Sequence, residues 1–441
     1  LAAKRFRVSP DRRNPFGFSM FSDRISDYFE GVGAKYLSAV DADSERSNQH
    51  EIGGLPAAGF KQYLGTPSKD QEYRFKTKQI YITDESVAPE TVEAEVTWYD
   101  CRRKQPQRSP EYRLYYNTNA VTELLAEGDF LLVAKLRDDS LLMVFTPAGS
   151  TIERQLRVLF ALDNVDERFK AGSVETLRLF LPLRLMLEDL GIETGHSETG
   201  DGAWLERLIE LFGGEKFPTT TLFSKFARES IEQKVDPRAD PDQAILNWMD
   251  HEEKLFRIYE RHLVQDRLRQ GFGHDGADVD GFISFSLSVQ NRRKSRVGHA
   301  FEIYLKEIFT IHGLRFEQGG GKGLTTENNS KPDFIFPDFE SYRNPESPVK
   351  HLLMLGAKTT CKDRWRQVLS EANKIPTKHL VTLEAAISEH QTTEMQFQNL
   401  QLVVPSAIHS TYTETQSEWL FTLHNFIEYA KKTQSNDHKP L

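Results

Sequence analysis

The chain has 441 residues, 38% hydrophobic and 27% charged, with a formal net charge of −9 and a mean hydropathy of −0.54. That length favours two or three domains, the apolar content supports packed cores, and the acidic balance excludes a purely electrostatic nucleic-acid coat but not an enzyme with a locally basic surface. Two cysteines far apart, Cys101 and Cys361, exclude a disulfide framework or a cysteine-ligated zinc and suit a reducing cytoplasm.

The basic opening "LAAKRFRVSPDRRNPFGF" lacks the apolar core of a signal peptide and reads as a tail; starting on leucine, it is consistent with a trimmed start. From about Lys35 to Leu162 the pattern predicts strands: "YRFKTKQIYIT", "ETVEAEVTWYD", "EYRLYYN", "DFLLVAKLR" and "SLLMVFTP" are β-branched, aromatic and separated by turn residues, as in a barrel or sandwich. After about Val165 a helical period takes over. "VETLRLFLPLRLMLEDLG" predicts an amphipathic segment ended by Gly191, and Arg178, Pro182 and Arg184 break its most apolar run, so no membrane span is expected. "GIETGHSETGDGA", Gly191 to Ala203, reads as a linker, and "QAILNWMDHEEKLFRIYERHLVQDRLRQG" as a long helix ending at Gly271. From Val297 the order is helix, three strands, helix, strand, helix, strand, helix, which predicts an α/β domain with a mixed sheet. The expected divisions are a β-rich domain over 1–168, a helical connector and linker over 169–213, and an α/β domain over 214–441.

Chemistry-bearing residues concentrate in the last third. "KPDFIFP" puts Asp333 at the start of a strand, and Lys358 ends a strand 25 positions later. Many metal-dependent nucleases carry a carboxylate two positions before such a lysine; here that slot is Gly356. The dipeptide Pro-Asp alone means nothing, and a capping aspartate with a snorkelling lysine is the ordinary alternative. Trp365, Val368, Leu369 and Ala372 follow the i, i+3, i+4, i+7 rule and predict a helix whose Glu371 points back toward the sheet edge, although a solvated glutamate has the same spacing. A hard cation such as Mg²⁺ takes oxygen ligands and keeps several waters, so Asp333 and Glu371 suffice to hold it, with Lys358 beside the attacking water.

Lys362, Asp363 and Arg364 stand at a helix start, where they suit either capping or base reading: cations donate to guanine and aspartate accepts from cytosine. "QNRRKSR" holds Asn291, Arg292, Arg293 and Arg296, either a solvated cationic loop or a phosphate clamp with Asn291 reaching a groove. "GGGKG", Gly319 to Gly323, lacks phosphate-loop spacing and reads as a flexible loop near the nuclease site, so no nucleotide cofactor is expected.

"NRRKSR", "KPDFIFP", "KTTCKDRWRQ" and "LVVPS" closely resemble the catalytic domain of EcoRII-type restriction endonucleases, from about Phe217 to Glu428. The resemblance implies a PD-(D/E)xK nuclease fold and Mg²⁺-dependent double-strand cleavage leaving 5′-phosphates. It implies a second acid thirteen positions after the lysine, which is Glu371, and maps the family's tyrosine onto Tyr342 and an acidic helix position onto Glu302. It gives Lys362, Asp363 and Arg364 the two halves of a split CC-GG site, hence CCNGG or CCWGG, and sets Trp248 near a position where some relatives stack a flipped base, a core tryptophan being the alternative. It further implies double-stranded DNA as partner; a homodimer through the carboxy-terminal domain is expected because two strands need two active sites. "KYLSAVDADSERSNQHEIGGLP" and "RLYYN" resemble the family's amino-terminal effector domain, a DNA-binding pseudobarrel that in the family restrains the nuclease. In place of that domain's long basic loop stands "TNAVTELLAEGD"; "CRRKQPQR", with Arg102, Arg103 and Lys104, is the candidate substitute arm. Alternatives are a DNA-binding regulator with a silent nuclease domain and a nicking or repair nuclease.

Overall fold

The five apolar runs between Tyr73 and Thr146 form strands where their alternation predicts them, but they join one sheet. We describe a computed structural model over residues 24–42, 50–86, 88–105, 107–174, 181–192, 194, 201–232, 234–321, 323–361 and 364–435. The strands are β1 (Phe29–Tyr36), β2 (Glu51–Ile52), β3 (Tyr73–Tyr81), β4 (Glu90–Asp100), β5 (Tyr112–Tyr115), β6 (Phe130–Leu136), β7 (Leu141–Thr146) and β8 (Lys170–Ala171), in the order β2-β5-β4-β3-β7-β6-β1-β8. All neighbours are antiparallel except β3 and β7. Among the described residues no pairing joins the outer strands, so the sheet stays open, as in a pseudobarrel.

The runs "FLLVA" and "LLMVF" are apolar throughout because this sheet is covered on both faces. Phe130, Leu132, Ala134, Leu142 and Val144 enter one core, and Leu131, Val133, Leu141, Met143 and Phe145 another, the period-two alternation of a strand. β1 is absent from the sequence expectation because Gly31 and Gly33 dilute its apolar signal. Gly31 is required by packing: a Cβ there would lie 2.1 Å from the Tyr63 ring.

Among the described residues the α-helices of five residues or more are α1 (Thr151–Leu159), α2 (Leu181–Asp189), α3 (Asp201–Phe212), α4 (Thr220–Ser230), α5 (Pro241–Gln270), α6 (Val279–Ile311), α7 (Phe339–Arg343), α8 (Arg364–Leu369), α9 (Glu389–Phe397), α10 (Glu414–Trp419) and α11 (Leu423–Ser435). None is long and apolar enough to cross a membrane. α3 begins inside the expected linker. α6 begins eighteen residues before Val297 and takes "QNRRKSR" into its middle, so that stretch is helix rather than loop. The last expected helix is two, α10 and α11, because Phe421 bridges to Val403 between them.

The second sheet has the order β13-β12-β11-β10-β9, with β9 (Glu317–Gln318), β10 (Phe334–Phe336), β11 (Leu353–Lys358), β12 (Lys378–Thr382) and β13 (Leu400–Val403). β9, β10 and β11 pair antiparallel, and β11, β12 and β13 parallel, the mixed sheet expected. One core runs from Val32 and Leu132 through α1 to Leu355 and Leu380, so both sheets share it. Polar contacts back this seam: Ser388 N donates to Thr151 Oγ1 at 3.1 Å, and Gln155 Nε2 donates to Glu384 Oε1 at 3.2 Å and Ala385 O at 3.1 Å.

Candidate active site

The antiparallel register of β10 and β11 builds the first half of the site. Phe334 pairs with Leu355, so Asp333, one residue before the strand, falls opposite Gly356. Asp333 Oδ2 accepts from Ala357 N at 2.7 Å and from Lys358 Nζ at 2.8 Å. Both side chains are mostly covered, at 14% and 23% exposure, which strengthens the pair relative to a surface ion pair.

Gly356 is empty of a side chain for a packing reason. A Cβ there would meet Val368 Cγ2 at 2.9 Å and Cγ1 at 3.2 Å, with Leu380 Cδ1 at 3.5 Å. α8 sits down on that position, burying Trp365 and Val368 completely. The carboxylate slot of the strand is therefore occupied by the helix.

Glu371 arrives from the far end of the same unit. It lies just beyond α8, which ends at Leu369, rather than on the helix as its spacing predicts, and Ala372 then reverses the chain at φ 49°. Burial and then the Asp333 carboxylate push the Glu371 carboxyl up to about 7, against the pull of Lys358 and Lys378. Among the described residues, Glu371 Oε2 is buried without a hydrogen-bond partner. Glu302, on α6, joins the same field: burial and Asp333 raise its carboxyl, while Gln318 Nε2, donating at 2.9 Å, and Lys358 lower it. Among the described residues no group of three or more His, Cys, Asp or Glu stands in metal-holding geometry. Two carboxylates within each other's field, one with an orphaned buried oxygen, nevertheless fit a hard cation that keeps several of its waters.

The remaining candidates fall elsewhere. The Tyr342 hydroxyl donates to the Glu327 carboxylate at 2.6 Å. Trp248 is 5% exposed and packs on Tyr304, with Arg228 over its ring, the surroundings that the core alternative expects. Arg296 is also buried, 4.2 Å over the Phe223 ring and 3.6 Å from Glu252. Arg293 pairs with Glu260 at 2.6 Å, Arg292 lies over Phe217, and Asn291 is exposed on α6. Arg102 pairs with Glu111 and Arg103 with Glu72, while Lys104 is exposed. Lys362 and Asp363 lie outside the described residues, as does the side chain of Arg364; their neighbours Cys361 and Trp365 are fully buried. The sequence singled out neither Glu327 nor Lys378, yet Lys378 feels both Glu327 and Glu371. The available signal was the Gly-rich loop itself, which Glu327 follows within a few residues.

The family described as EcoRII C terminal is matched over residues 256–427, which spans Asp333, Lys358 and Glu371. Over this region the chain is EcoRII-like. It is 45% identical over 212 residues to the type II restriction enzyme EcoRII of Escherichia coli, covering 48% of this chain and 50% of that one. It is 25% identical over 151 residues to the type II restriction enzyme SsoII of Shigella sonnei, covering 33% and 48%. The chain thus spans about half the length of the curated relatives it matches. Among solved structures, metal-depleted Ecl18kI in complex with uncleaved, modified DNA covers 55% of this chain and 88% of its own, at 18% identity and a TM-score of 0.42.

Proposed function

We propose that the chain is a sequence-specific endonuclease that cuts both strands of double-stranded DNA, with Mg²⁺, at a CC-GG pentanucleotide (CCNGG or CCWGG), leaving 5′-phosphates. The observation that carries this reading is the convergence of Asp333, Lys358 and Glu371 where β10 begins and β11 ends, within the EcoRII-like region. Asp333 and Glu371 would hold the metal, which supplies Lewis acidity toward the phosphodiester and acidifies a bound water. Lys358 fixes Asp333, favours the ionised form of Glu371, and is placed to orient the attacking water or meet charge developing on the phosphate. Glu302 adds negative field from α6. Lys362, Asp363 and Arg364 read the C·G pairs, each good contact contributing about 1–3 kcal/mol of discrimination. Crowding carboxylates in a covered site costs stability unless a cation is shared, which disfavours a silent nuclease domain.

The test is a supercoiled plasmid incubated with Mg²⁺, with and without EDTA. Discrete fragments whose sequenced ends share one CC-GG site, absent with EDTA, are expected. A gel shift without cleavage would put the regulator in its place.

A homodimer completes the reading, since each chain carries one such cluster and a duplex has two strands. Its support is an exposed apolar stripe on α6: Val279 60%, Phe282 47%, Ile283 49% and Leu287 54% exposed. Light scattering is expected to give twice the chain mass, and Phe282→Asp with Ile283→Asp to give a monomer that accumulates nicked plasmid. A double variant that stays dimeric removes this face as the interface.

A further inference from the structure

The three backbone N–H groups that follow Glu371 are all taken by side chains from outside its own segment. Ala372 N donates to Thr326 Oγ1 at 3.4 Å, Asn373 N to Glu327 Oε2 at 3.2 Å, and Lys374 N to the Tyr342 hydroxyl at 3.3 Å. These donors need partners because the helix has ended: its last turn closes with Glu371 N on Val368 O at 3.2 Å, and Ala372, fully buried, adopts a left-handed φ that side chains other than glycine rarely take.

The acceptors are themselves tied together. Tyr342 on α7 donates its hydroxyl to the Glu327 carboxylate at 2.6 Å. Burial and that bond drive the Tyr342 hydroxyl far above its ordinary range, so it stays a donor. Burial pushes Glu327 up, but the tyrosine hydroxyl and the backbone N–H groups outweigh it, and the carboxyl lies below its usual value. Arg343 donates to Thr325 O at 3.0 Å and to Gly323 O, which pins the Gly-rich loop to α7. Lys374 Nζ returns to Tyr342 O at 3.1 Å and Asn344 O at 2.6 Å. Lys378 then lies in the field of Glu327 on one side and Glu371 on the other.

We propose that Thr326, Glu327 and Tyr342 form a clamp that positions Glu371 for the metal, so that the Gly-rich loop and α7 set metal affinity without touching metal or DNA. This rests on the reading of Glu371 as a metal ligand. It assigns Tyr342 and Glu327 as positioning residues, acting through the chain reversal at Ala372 rather than on the phosphodiester. Groups that orient a ligand typically change metal affinity by about 10–100-fold when lost.

The experiment uses the full chain on a cognate duplex with a non-hydrolysable linkage, and reads Mn²⁺ binding by the electron paramagnetic resonance of free Mn²⁺. Cleavage of the normal duplex as a function of Mg²⁺ is measured in parallel. Glu327→Gln and Tyr342→Phe are each expected to weaken Mn²⁺ binding and raise the half-saturating Mg²⁺ by about 10-fold or more, with the cleavage rate at saturating Mg²⁺ changed by less than about threefold. Because the two acceptors are hydrogen-bonded to each other, the double variant is expected to fall short of the product of the singles. Thr326→Ser, which keeps the acceptor, is expected to behave as the parent, and Thr326→Val to shift in the same direction as Glu327→Gln. Unchanged Mn²⁺ binding in folded Glu327→Gln and Tyr342→Phe overturns the clamp, as does a loss of rate that saturating Mg²⁺ leaves in place. Glu371→Gln separates the two ideas: if it binds Mn²⁺ like the parent, the reading of Glu371 as a ligand fails and the clamp with it.

Discussion

Replacing Lys358 by alanine is expected to lower DNA cleavage by at least about 10³-fold while cognate DNA is still bound within about threefold. The cation is 2.8 Å from Asp333 Oδ2 and largely covered, so solvent does not replace it. Its loss leaves Asp333 held by the Ala357 N–H alone and removes one of the two cations that pull Glu371 down from its raised position. Glu371 then rises further and is protonated over more of the neutral range, so a cation must displace a proton to bind. Lys358→Arg distinguishes the roles of the residue. A guanidinium keeps the charge but cannot release its proton at ordinary pH. An inactive arginine variant assigns proton transfer, and substantial activity assigns charge alone. Full activity in Lys358→Ala, measured by single-turnover cleavage beside a gel-shift assay, sinks the mechanism.

Gly356→Glu is expected to destabilise the protein by about 3 kcal/mol or more and to restore nothing. The β-carbon alone would lie 2.9 Å from Val368 Cγ2, and overpacking a close-packed position costs about 1–3 kcal/mol. The rest of the side chain adds an unpaired carboxylate beside Asp333, Glu371 and Glu302, a further loss of similar size. The midpoint of urea unfolding measures the first effect. For the second, the double variant Gly356→Glu with Glu371→Gln is expected to stay inactive, although it returns a carboxylate to the usual strand position. Cleavage by that double variant would mean that α8 yields and that the strand slot is open to the metal. Gly356→Ala isolates the steric part, and its unfolding midpoint is expected to fall between those of the parent and Gly356→Glu.

Much of this architecture was legible from periodicity. The runs around Tyr73, Glu90, Phe130 and Leu141 alternate or are apolar throughout, and a strand covered on both faces has no other way to read. The Asp333–Lys358 pair was legible because strand ends carry their residues with them: once β10 and β11 are antiparallel neighbours, an aspartate before one meets a lysine at the end of the other. β1 was hidden by Gly31, whose identity answers to the Tyr63 ring, a contact no local pattern reports. Helical spacing cannot tell a solvated arginine from Arg296, or a base-stacking tryptophan from Trp248, because both positions recur on a face whose neighbours come from distant chain.

The sequence by itself determined strands β3 to β7 of the first sheet, the α/β order from Val297 with its mixed sheet, and the thirteen-residue interval from Lys358 to Glu371. Tertiary packing alone decided why that interval matters. α8 fills the slot at Gly356, the helix stops at Leu369, and Thr326, Glu327 and Tyr342 take the N–H groups released beyond Glu371. Backbone periodicity is a local property and is written along the chain. Excluded volume and the partnering of freed donors depend on residues tens of positions away, and these fix where a carboxylate can stand.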